Sequence, residues 1–404
     1  MAVYRSESEK RETRMASAKP TAMSRFAFII HPLNRSHQLR ILQKLRLYKS
    51  FLSAAFLRNH DHRFSPIPAL TLPFHSKDEK NVVCDVILCP LLPGQMVEDE
   101  KRAITTILQS IDIAKERGAR LVGLGGFTSI VGNGGLEVAT RSSLPVTSGN
   151  TYTASSVVKS IIKCGKLMDI DFSRSHIAFI GATGDIGSAC ARQLAALFGT
   201  TTLVARSESQ LERLAESLRP KCGRVHIEKR ISKAVANADV IITATSALTT
   251  LIESDDLKKG AIVCDVSYPA NIAKEIWRKR PDILVFEGGI VSSRQFISQI
   301  QTKSPFWEFN PHGGMHACFA EVLLLALEEK FVNFSIGRGN ISSQKMSEIE
   351  RLAEKYVFEL TLFWNGIGFY DDHDIIKIAR ARTTVLSRNK NTRLRLKECG
   401  LKWK

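Results

Sequence analysis

A glycine-rich segment near the middle of the chain holds the first residues whose type and spacing could do chemistry. Three glycines, with two residues between each, follow the apolar run Ile177–Ile180 and open a helical pattern. Glycines in such places permit a tight turn, close approach of the backbone to a pyrophosphate and close packing of helix on strand. The amides at the helix start would face the phosphates. The segment therefore predicts a dinucleotide site, formed by Gly181, Thr183, Gly184, Asp185, Ile186 and Gly187.

The residues that follow the next apolar runs indicate which dinucleotide is bound. Arg206 and Ser207 come after the run Thr201–Ala205, where an NAD-selective domain carries a carboxylate for the ribose hydroxyls. A guanidinium can instead pair with the adenosine 2′-phosphate, and a hydroxyl can add a hydrogen bond. We therefore expect NADPH as the cofactor. Thr243 and Ala244 end a later run and are expected on the nicotinamide side.

Cys318 is the candidate nucleophile. It follows two glycines and His316, at or near the first turn of a strongly apolar helical pattern that runs through Leu327. Unpaired amides and the macrodipole at a helix start lower the pKa of a thiol, although Glu321, one turn further on, opposes this effect. His316 could act as the base if the chain turns favourably. A buried structural cysteine and an exposed loop histidine are the alternatives.

The eight cysteines predict neither a disulfide framework nor a zinc site. They are scattered along the chain, and the close pair Cys84 and Cys89 lacks the two-residue spacing that zinc sites favour. Most are expected to be small buried hydrophobic residues in a reducing compartment, and no metal is expected.

A sheet is needed to position these residues, and the pattern from His176 onward predicts one. Short apolar runs alternate with helical patterns over this region. Such alternation is typical of the α/β class with a doubly wound parallel sheet, the Rossmann fold. The expected division is a disordered polar extension (1–24), an N-terminal α/β substrate-binding domain (25–170), a Rossmann NADPH-binding domain (171–300), a helical segment that carries Cys318 (301–370) and a basic tail (371–404).

The N-terminal third of the chain is expected to mix strands and helices. The expected elements are a strand over 26–30, a basic amphipathic helix over 35–57, a strand over 82–88 and a helix over 98–117. A further helix is expected to follow the capping residues 147–151 and to run to about residue 167. Pro66, Pro68 and Pro73 are expected to interrupt regular structure, and Gly118 to end a helix in a left-handed conformation. The adjacent Gly125 and Gly126 permit either approach to a ligand or a plain tight turn.

The net charge of +17 is concentrated at the two ends of the chain. Residues 1–60 hold 12 Lys and Arg against 3 acidic residues, and residues 377–404 hold 10 against 1, so the middle is close to neutral. Basic ends suit an acidic partner or an anionic membrane surface, or they are solvated tails. No interleaved aromatic and basic pattern favours nucleic acid. Without a membrane-spanning apolar run or an export signal, we expect a cytoplasmic protein, with peripheral membrane contact left open.

Four separate motifs resemble one family, the cyanobacterial long-chain acyl-acyl-carrier-protein reductases. They are Leu124–Ile130, Ser148–Thr153, Gly181–Ser188 and the stretch from Ala317–Glu321 to Asn333–Arg338. Their order and separations also agree with that family, and the resemblance covers roughly residues 25–358. Two positions depart from the family pattern, because Tyr152 stands in place of a histidine and His316 in place of an aromatic residue.

The resemblance implies a reaction and a role for the candidate cysteine. Members of the family use NADPH to reduce a long-chain fatty acyl thioester to a fatty aldehyde, and Cys318 matches the cysteine that carries the acyl group. The partner would be acyl carrier protein, or acyl-CoA as an alternative anionic substrate. From the residues alone, two other functions stay open. These are an NADP-dependent dehydrogenase of a small polyol or keto acid, and a non-catalytic NADPH-binding regulator.

Overall fold

The computed structural model describes residues 23–44, 64–272, 275–301, 314–365 and 368–386. Most of the expected polar extension, the second half of the helix expected over 35–57, the glycine at 313 and the basic tail after 386 lie outside these residues. The chain divides into two compact units. The first unit comprises Met1–Ser156, Gly184–Ala189 and Gly289–Thr361, and the second comprises Val157–Thr183, Cys190–Gly288 and Leu362–Lys404.

The first unit is built on a five-stranded sheet. Its strands are β1 (Ser24–Ile30), β2 (Ile67–His75), β3 (Asn81–Leu88), β4 (Val122–Leu124) and β5 (Val146–Thr147). They lie in the order β2-β3-β1-β4-β5, with β2 antiparallel to β3 and the other pairs parallel. The near-continuous apolar runs of β1 and β3 are what a parallel strand buried on both faces requires. The strands expected over 26–30 and 82–88 are thereby confirmed.

Five helices accompany this part of the chain. They are α1 (Arg35–Lys44), α2 (Pro93–Glu98), α3 (Glu100–Glu116), α4 (Val131–Arg141) and α5 (Asn150–Leu167). The helix expected over 98–117 begins two residues later, because Asp99 caps α3 by accepting a hydrogen bond from the Arg102 amide at 2.9 Å. Gly118 follows α3 with φ +87°, which confirms its expected left-handed conformation.

The expectation that prolines interrupt regular structure was wrong for two of the three. Pro68 and Pro73 lie inside β2, which pairs with β3 from Ile67 to His75 with one irregularity between Pro68 and Leu70. A proline lacks the N–H that an inner strand would need, but β2 lies at the edge of the sheet and pairs on one side alone. The edge position therefore explains how a strand accommodates these residues.

The start of α4 contains an unusual left-handed turn. Four consecutive residues, Gly132 to Gly135, have φ between 57° and 76°. Three of them are glycines, which adopt this conformation without steric cost, and Asn133 is of the type that tolerates it best after glycine. The carbonyl of Gly134 accepts a hydrogen bond from the Gly337 amide at 2.9 Å, which fixes the turn to a loop distant in sequence.

The second unit holds a six-stranded parallel sheet. Its strands are β6 (His176–Ile180), β7 (Thr200–Val204), β8 (Arg224–Ile227), β9 (Val240–Thr243), β10 (Ile262–Asp265) and β11 (Leu284–Glu287). The helices along this stretch are α6 (Asp185–Leu194), α7 (Glu208–Leu218), α8 (Ile231–Val235) and α9 (Ile276–Lys279). The spatial order β11-β10-β9-β6-β7-β8 is the strand order of dinucleotide-binding folds, so the predicted doubly wound α/β class is confirmed.

After β11 the chain re-enters the first unit, and its last elements belong to the second unit. In the first unit they are β12 (Ile290–Ser292), α10 (Arg294–Gln301), β13 (Met315–His316), α11 (Ala317–Leu327), α12 (Ser343–Lys355) and β14 (Glu359–Leu360). In the second they are β15 (Phe363–Trp364), β16 (Phe369–Tyr370) and α13 (Asp372–Leu386). Helix α11 is the centre of the larger apolar cluster of the first unit, and its residues from Phe319 to Leu327 are all buried. Within the described ranges, no helix is long and apolar enough to cross a membrane.

Candidate active site

The predicted dinucleotide loop lies between β6 and α6, at the edge where the parallel strands end. Gly181 has φ +84°, and a β-carbon built there would lie 2.3 Å from the carbonyl oxygen of Ala244. The Gly181 and Ala182 amides both donate to the Val204 carbonyl, at 2.9 and 3.0 Å. This turn has no room for a side chain at Gly181, and a glycine cradle of this kind fits a dinucleotide.

The other predicted residues of the loop lie at the start of α6, which begins at Asp185. The Gly184 carbonyl accepts the Ser188 amide, so Gly184 precedes the first helical residue. The Asp185 carboxylate accepts the Gly339 amide at 3.0 Å and the Asn150 side-chain amide at 3.4 Å. The predicted residues of this segment, Thr183, Gly184, Asp185 and Ile186, are partly accessible, whereas Gly187 is buried.

Arg206 and Ser207 lie just beyond β7, with one residue between the strand and Arg206. Arg206 is exposed, and within the described part of the chain no carboxylate pairs with its guanidinium. Ser207 occupies the N-cap position of α7, and its hydroxyl lies 3.4 Å from that of Ser209. A guanidinium that is not engaged by the protein's own acids is available to a phosphate.

A buried polar network fixes the ends of β9 and β10, where the nicotinamide side was predicted. The Thr243 hydroxyl lies 3.3 Å from that of Ser267, and the Ala244 amide donates to the Ile180 carbonyl at 2.9 Å. The Asp265 carboxylate accepts the amides of Ser267 and Asn271, and burial raises its pKa to about 6. Sequence reasoning missed Asp265, Ser267 and Asn271, because single polar residues after a strand carry no distinctive spacing.

Cys318 is the second residue of α11, as the sequence predicted. The residue is partly accessible, and it packs against the larger apolar cluster of the first unit. Of the seven cysteines in the described ranges, five are buried, and Cys222 of the second unit is the other with partial access.

The expected lowering of the Cys318 pKa was wrong. Burial raises the pKa of the thiol to about 12, and the charge of Glu321 adds to the increase. A hydrogen bond with the backbone of Phe319 acts in the opposite direction and is outweighed. Because an ionised thiol loses its hydration in apolar surroundings, the helix start alone does not supply a thiolate at neutral pH.

His316 occupies the N-cap position of α11, two residues before Cys318. Burial lowers the pKa of its imidazole to about 4, so the ring is neutral at physiological pH and a weaker base than an exposed histidine. His316 also belongs to β13, where it pairs with Ile290 of β12. A partly buried strand residue replaces the exposed loop histidine that the sequence left as an alternative.

Gly149 lies directly against Cys318. Its φ is +75°, and a β-carbon built there would lie 2.2 Å from Cα and 2.4 Å from Cβ of Cys318. No L side chain fits at this position without movement of one backbone or the other. The family-like motif Ser148–Thr153 is thus the segment that packs against Cys318.

Glu321 is a fully buried carboxylate that joins three segments behind Cys318. Its Oε1 accepts the hydroxyls of Thr147 at 2.6 Å and Ser335 at 2.7 Å, and its Oε2 accepts the Tyr152 amide at 2.9 Å. Burial raises its pKa, while these three donors favour the ionised form. Sequence reasoning treated Glu321 as a charge beside the thiol and missed these partners.

Tyr152 stands where the resembled family has a histidine, and it is a core residue here. Its ring meets that of Phe358 edge-on at 6.4 Å between centroids, and burial raises the pKa of its phenol. A neutral, buried phenol of this kind does not take over the acid–base behaviour of an imidazole near pH 7.

His31 fixes the loop with the two adjacent glycines. Its Nε2 accepts the Phe127 amide at 2.9 Å, so Nδ1 carries the proton and donates to the Pro32 carbonyl at 3.0 Å. Burial lowers the pKa of the ring to about 4. Gly126, with φ +56°, begins the turn that His31 holds.

One group of side chains in the described part of the chain could hold a cation. Ligand atoms of Asp371, His373 and Asp374 lie within 4.8 Å of one another, and two of the three residues are exposed. The Asp371 carboxylate accepts the Asp374 amide at 2.7 Å at the start of α13. Helix capping accounts for this cluster.

Comparison with known proteins shows similarity in both units. The family model "Shikimate / quinate 5-dehydrogenase" matches residues 164–286. A long-chain acyl-[acyl-carrier-protein] reductase from Synechococcus elongatus is 32% identical over 267 residues, which cover 64% of this chain and 76% of that protein. Aminotransferase PigE from a Serratia species is 28% identical over 343 residues, 83% of this chain. The match spans 39% of the length of that aminotransferase.

Among solved structures, shikimate 5-dehydrogenase from Listeria monocytogenes, in complex with shikimate and NAD, is similar with a TM-score of 0.32. It is 12% identical and covers 67% of this chain and 88% of that one. The dehydrogenase family match coincides with the strand order and glycine loop of the second unit. The second unit is a dinucleotide-binding domain, and NADP(H) is its cofactor.

Proposed function

Because the chain belongs to the family of the Synechococcus elongatus long-chain acyl-[acyl-carrier-protein] reductase, we propose that it reduces a long-chain fatty acyl thioester to a fatty aldehyde with NADPH. The observation that carries this proposal is Cys318, a partly accessible residue at the start of α11 with Gly149 packed against its Cα and Cβ atoms. This contact fixes the backbone from which the cysteine side chain extends.

The proposed reaction begins on the thiol of Cys318. Its sulfur attacks the acyl carbonyl carbon and forms a new carbon–sulfur bond, and the carrier's thiol leaves with its bonding pair. When bound, NADPH supplies the hydride that reduces the resulting acyl group. The thiohemiacetal on Cys318 then collapses. Its carbon–sulfur bond breaks, the aldehyde is released, and Cys318 is left as a thiolate that takes up a proton.

The raised pKa of Cys318 requires that a base take its proton as the sulfur attacks. His316 is neutral at pH 7 because burial lowers its pKa to about 4, so one ring nitrogen carries no proton. The lowered pKa also makes the ring a weak base, so proton transfer must accompany formation of the carbon–sulfur bond. Its position two residues before Cys318 in the chain makes it the proposed acceptor, and the same ring can return the proton to the carrier's thiolate.

Acyl carrier protein is the proposed partner, with acyl-CoA as the alternative carrier. Both are anionic, and the basic residues at the two ends of the chain favour electrostatic attraction of either one. The Synechococcus elongatus relative is a reductase of the acyl-carrier-protein form, which supports that choice.

Direct detection of aldehyde tests the proposal. Wild type with NADPH and a palmitoyl thioester should form hexadecanal, and without NADPH it should accumulate an acyl adduct on the peptide that contains Cys318, visible by mass spectrometry. Cys318→Ala should bind NADPH and form no aldehyde, while Cys222→Ala, the matched change at the other partly accessible cysteine, should keep wild-type turnover. Cys318→Ser should lose turnover by orders of magnitude, because a hydroxyl is a much weaker nucleophile at neutral pH.

Comparable aldehyde formation by Cys318→Ala would contradict the proposal. The dehydrogenase family match over residues 164–286 favours one other function, the NADP-dependent oxidation of a small polyol or reduction of a keto acid. That match ends before Cys318, so the alternative enzyme would turn over such substrates regardless of the cysteine. A screen of these substrates with Cys318→Ala separates the two functions.

A further inference from the structure

Helix α5 begins beside Cys318, and the residue before it has no side chain that could cap the helix. Asn150 is its first helical residue and Gly149 precedes it, at the N-cap position. N-cap residues usually carry a Ser, Thr, Asp or Asn side chain that accepts the free amides of the first turn. Gly149 has no such side chain, and its contact with Cys318 leaves no space for one.

The missing cap is supplied by two residues that are distant in sequence. Glu321 Oε2 accepts the Tyr152 amide at 2.9 Å, and the Ser335 hydroxyl accepts the Thr151 amide at 3.2 Å. Ser335 in turn donates to Glu321 Oε1, so one connected group of side chains binds the first turn of α5. A carboxylate at a helix N-terminus also gains from the helix macrodipole.

The same group holds the segment that precedes α5. The Thr147 hydroxyl donates to Glu321 Oε1 at 2.6 Å and accepts the Ser335 amide at 3.1 Å. Ser148 donates its hydroxyl to the Ser335 carbonyl. Residues on both sides of Gly149 are therefore fixed to Glu321 and Ser335, and Glu321 itself lies one turn beyond Cys318 on α11.

We propose that Glu321 is a positioning residue, whose carboxylate caps α5 from the neighbouring helix α11 and thereby holds Gly149 against the Cα and Cβ atoms of Cys318. This proposal rests on the proposed function, since it assigns to Glu321 the placement of the acyl-accepting sulfur. A contact at Cα and Cβ fixes the point from which the sulfur extends, and so limits the positions from which the sulfur can attack an acyl group. Without this contact the Cys318 sulfur would adopt more positions and would react more slowly with the thioester.

The charged groups that bear on this network are few. Lys345 of α12 favours the ionised form of Glu321, and Glu321 raises the pKa of Cys318. Replacement of Glu321 by Gln keeps the side-chain volume but removes the charge and one acceptor for the three donors. The pKa of the thiol should then fall, while the position of Gly149 is released.

The test compares Glu321→Gln with Glu350→Gln in the full chain. Glu350 of α12 accepts the Ser155 hydroxyl from the next turn of α5, so its loss removes a carboxylate contact with the same helix but leaves Gly149 in place. The rate of Cys318 alkylation by iodoacetamide is measured by mass spectrometry from about pH 6 to about pH 10, where the rate follows the small thiolate fraction. Glu321→Gln should shift this profile to lower pH, which appears as a higher rate at each pH, and Glu350→Gln should leave the profile unchanged.

The second measurement is aldehyde formation with NADPH and a palmitoyl thioester. In Glu321→Gln, kcat should fall on the order of tenfold to a hundredfold through displacement of the sulfur, with the NADPH dissociation constant unchanged. Where circular dichroism shows that Glu321→Gln does not fold, Ser335→Ala replaces it, because that change removes the cap of Thr151 and one donor to Glu321.

Two results would overturn the positioning role. One is a wild-type alkylation profile together with wild-type kcat in Glu321→Gln, and the other is an equal shift of the profile in Glu350→Gln. If wild type forms no aldehyde, the proposed function fails, but the alkylation profiles still decide whether Glu321 controls the Cys318 thiol.

Discussion

Replacement of Gly149 by Ala should damage the site through the smallest available change. The new methyl group must be accommodated where an ideal β-carbon lies 2.2 Å from Cα and 2.5 Å from the carbonyl oxygen of Cys318. Those atoms are backbone and cannot rotate away, so α5 or α11 must shift. The left-handed φ of +75° adds a cost of about 1 to 2 kcal/mol for a residue with a side chain. Overpacking adds about 1 to 3 kcal/mol, so the loss of stability should be about 2 to 5 kcal/mol.

Gly118→Ala is the matched control. Gly118 has φ +87°, and the nearest atom to a β-carbon there is the Arg25 Cδ at 3.9 Å, which is an ordinary contact. It therefore carries the backbone cost without the clash, about 1 to 2 kcal/mol. Both variants are compared by urea denaturation, NADPH titration and aldehyde formation.

The expected outcome separates the two glycines by activity as well as by stability. Gly149→Ala should bind NADPH like wild type but lose most of its aldehyde formation, because the displaced backbone moves the sulfur. Gly118→Ala should keep wild-type kcat under native conditions. A Gly149→Ala protein with the stability and kcat of Gly118→Ala would refute the claim that the Gly149 backbone fixes Cys318.

Two further predictions concern the cofactor and the pH dependence of stability. Arg206→Ala should weaken NADPH binding by about 1 to 3 kcal/mol, as expected for a lost charge-assisted contact, and should leave NADH binding unchanged. Fluorescence titrations measure both, and an equal loss of affinity for the two cofactors would contradict the assignment. His31 has a folded-state pKa of about 4 against 6.5 for an ordinary histidine, so the unfolded chain binds its proton first as the pH falls. Its contribution, about 3 kcal/mol, is complete above pH 6.5 and should be lost between there and pH 4. The Tm measured across this range should fall less steeply in His31→Gln, and an unchanged slope would show that the ring does not titrate there.

The Rossmann sheet could be predicted from the sequence because its strands are buried on both faces. The residues 177–180 and 240–242 are continuously apolar, and each run is followed by residues with a recognisable role. Strand β8 was not expected, because Arg224 and His226 alternate with its two apolar residues and the strand lies at the sheet edge. Local pattern therefore located the cofactor domain but not all of its strands.

The surroundings of Cys318 could not be predicted in the same way. The helix start was correct, yet the direction of the thiol's pKa shift depends on how much of the larger apolar cluster surrounds it, which is a tertiary property. The partners of Glu321 lie 174 residues away at Thr147 and 169 at Tyr152. No spacing rule on a single chain links positions so far apart, so their joint role could be found from the fold alone.

The proline-bearing strand β2 has a consequence for how molecules of this protein behave beside one another. An open sheet edge offers unpaired N–H and C=O groups to any passing chain. Pro73 has no N–H to offer, and its nitrogen faces the same way as that of His75, two residues on. At His75 the edge is already occupied, because the side-chain amide of Gln299 accepts its N–H at 2.8 Å and donates to its carbonyl at 2.9 Å, as a neighbouring strand would. The end of β2 around Pro73 and His75 is thus protected against intermolecular strand addition, the first step towards fibrillar assembly in a crowded solution.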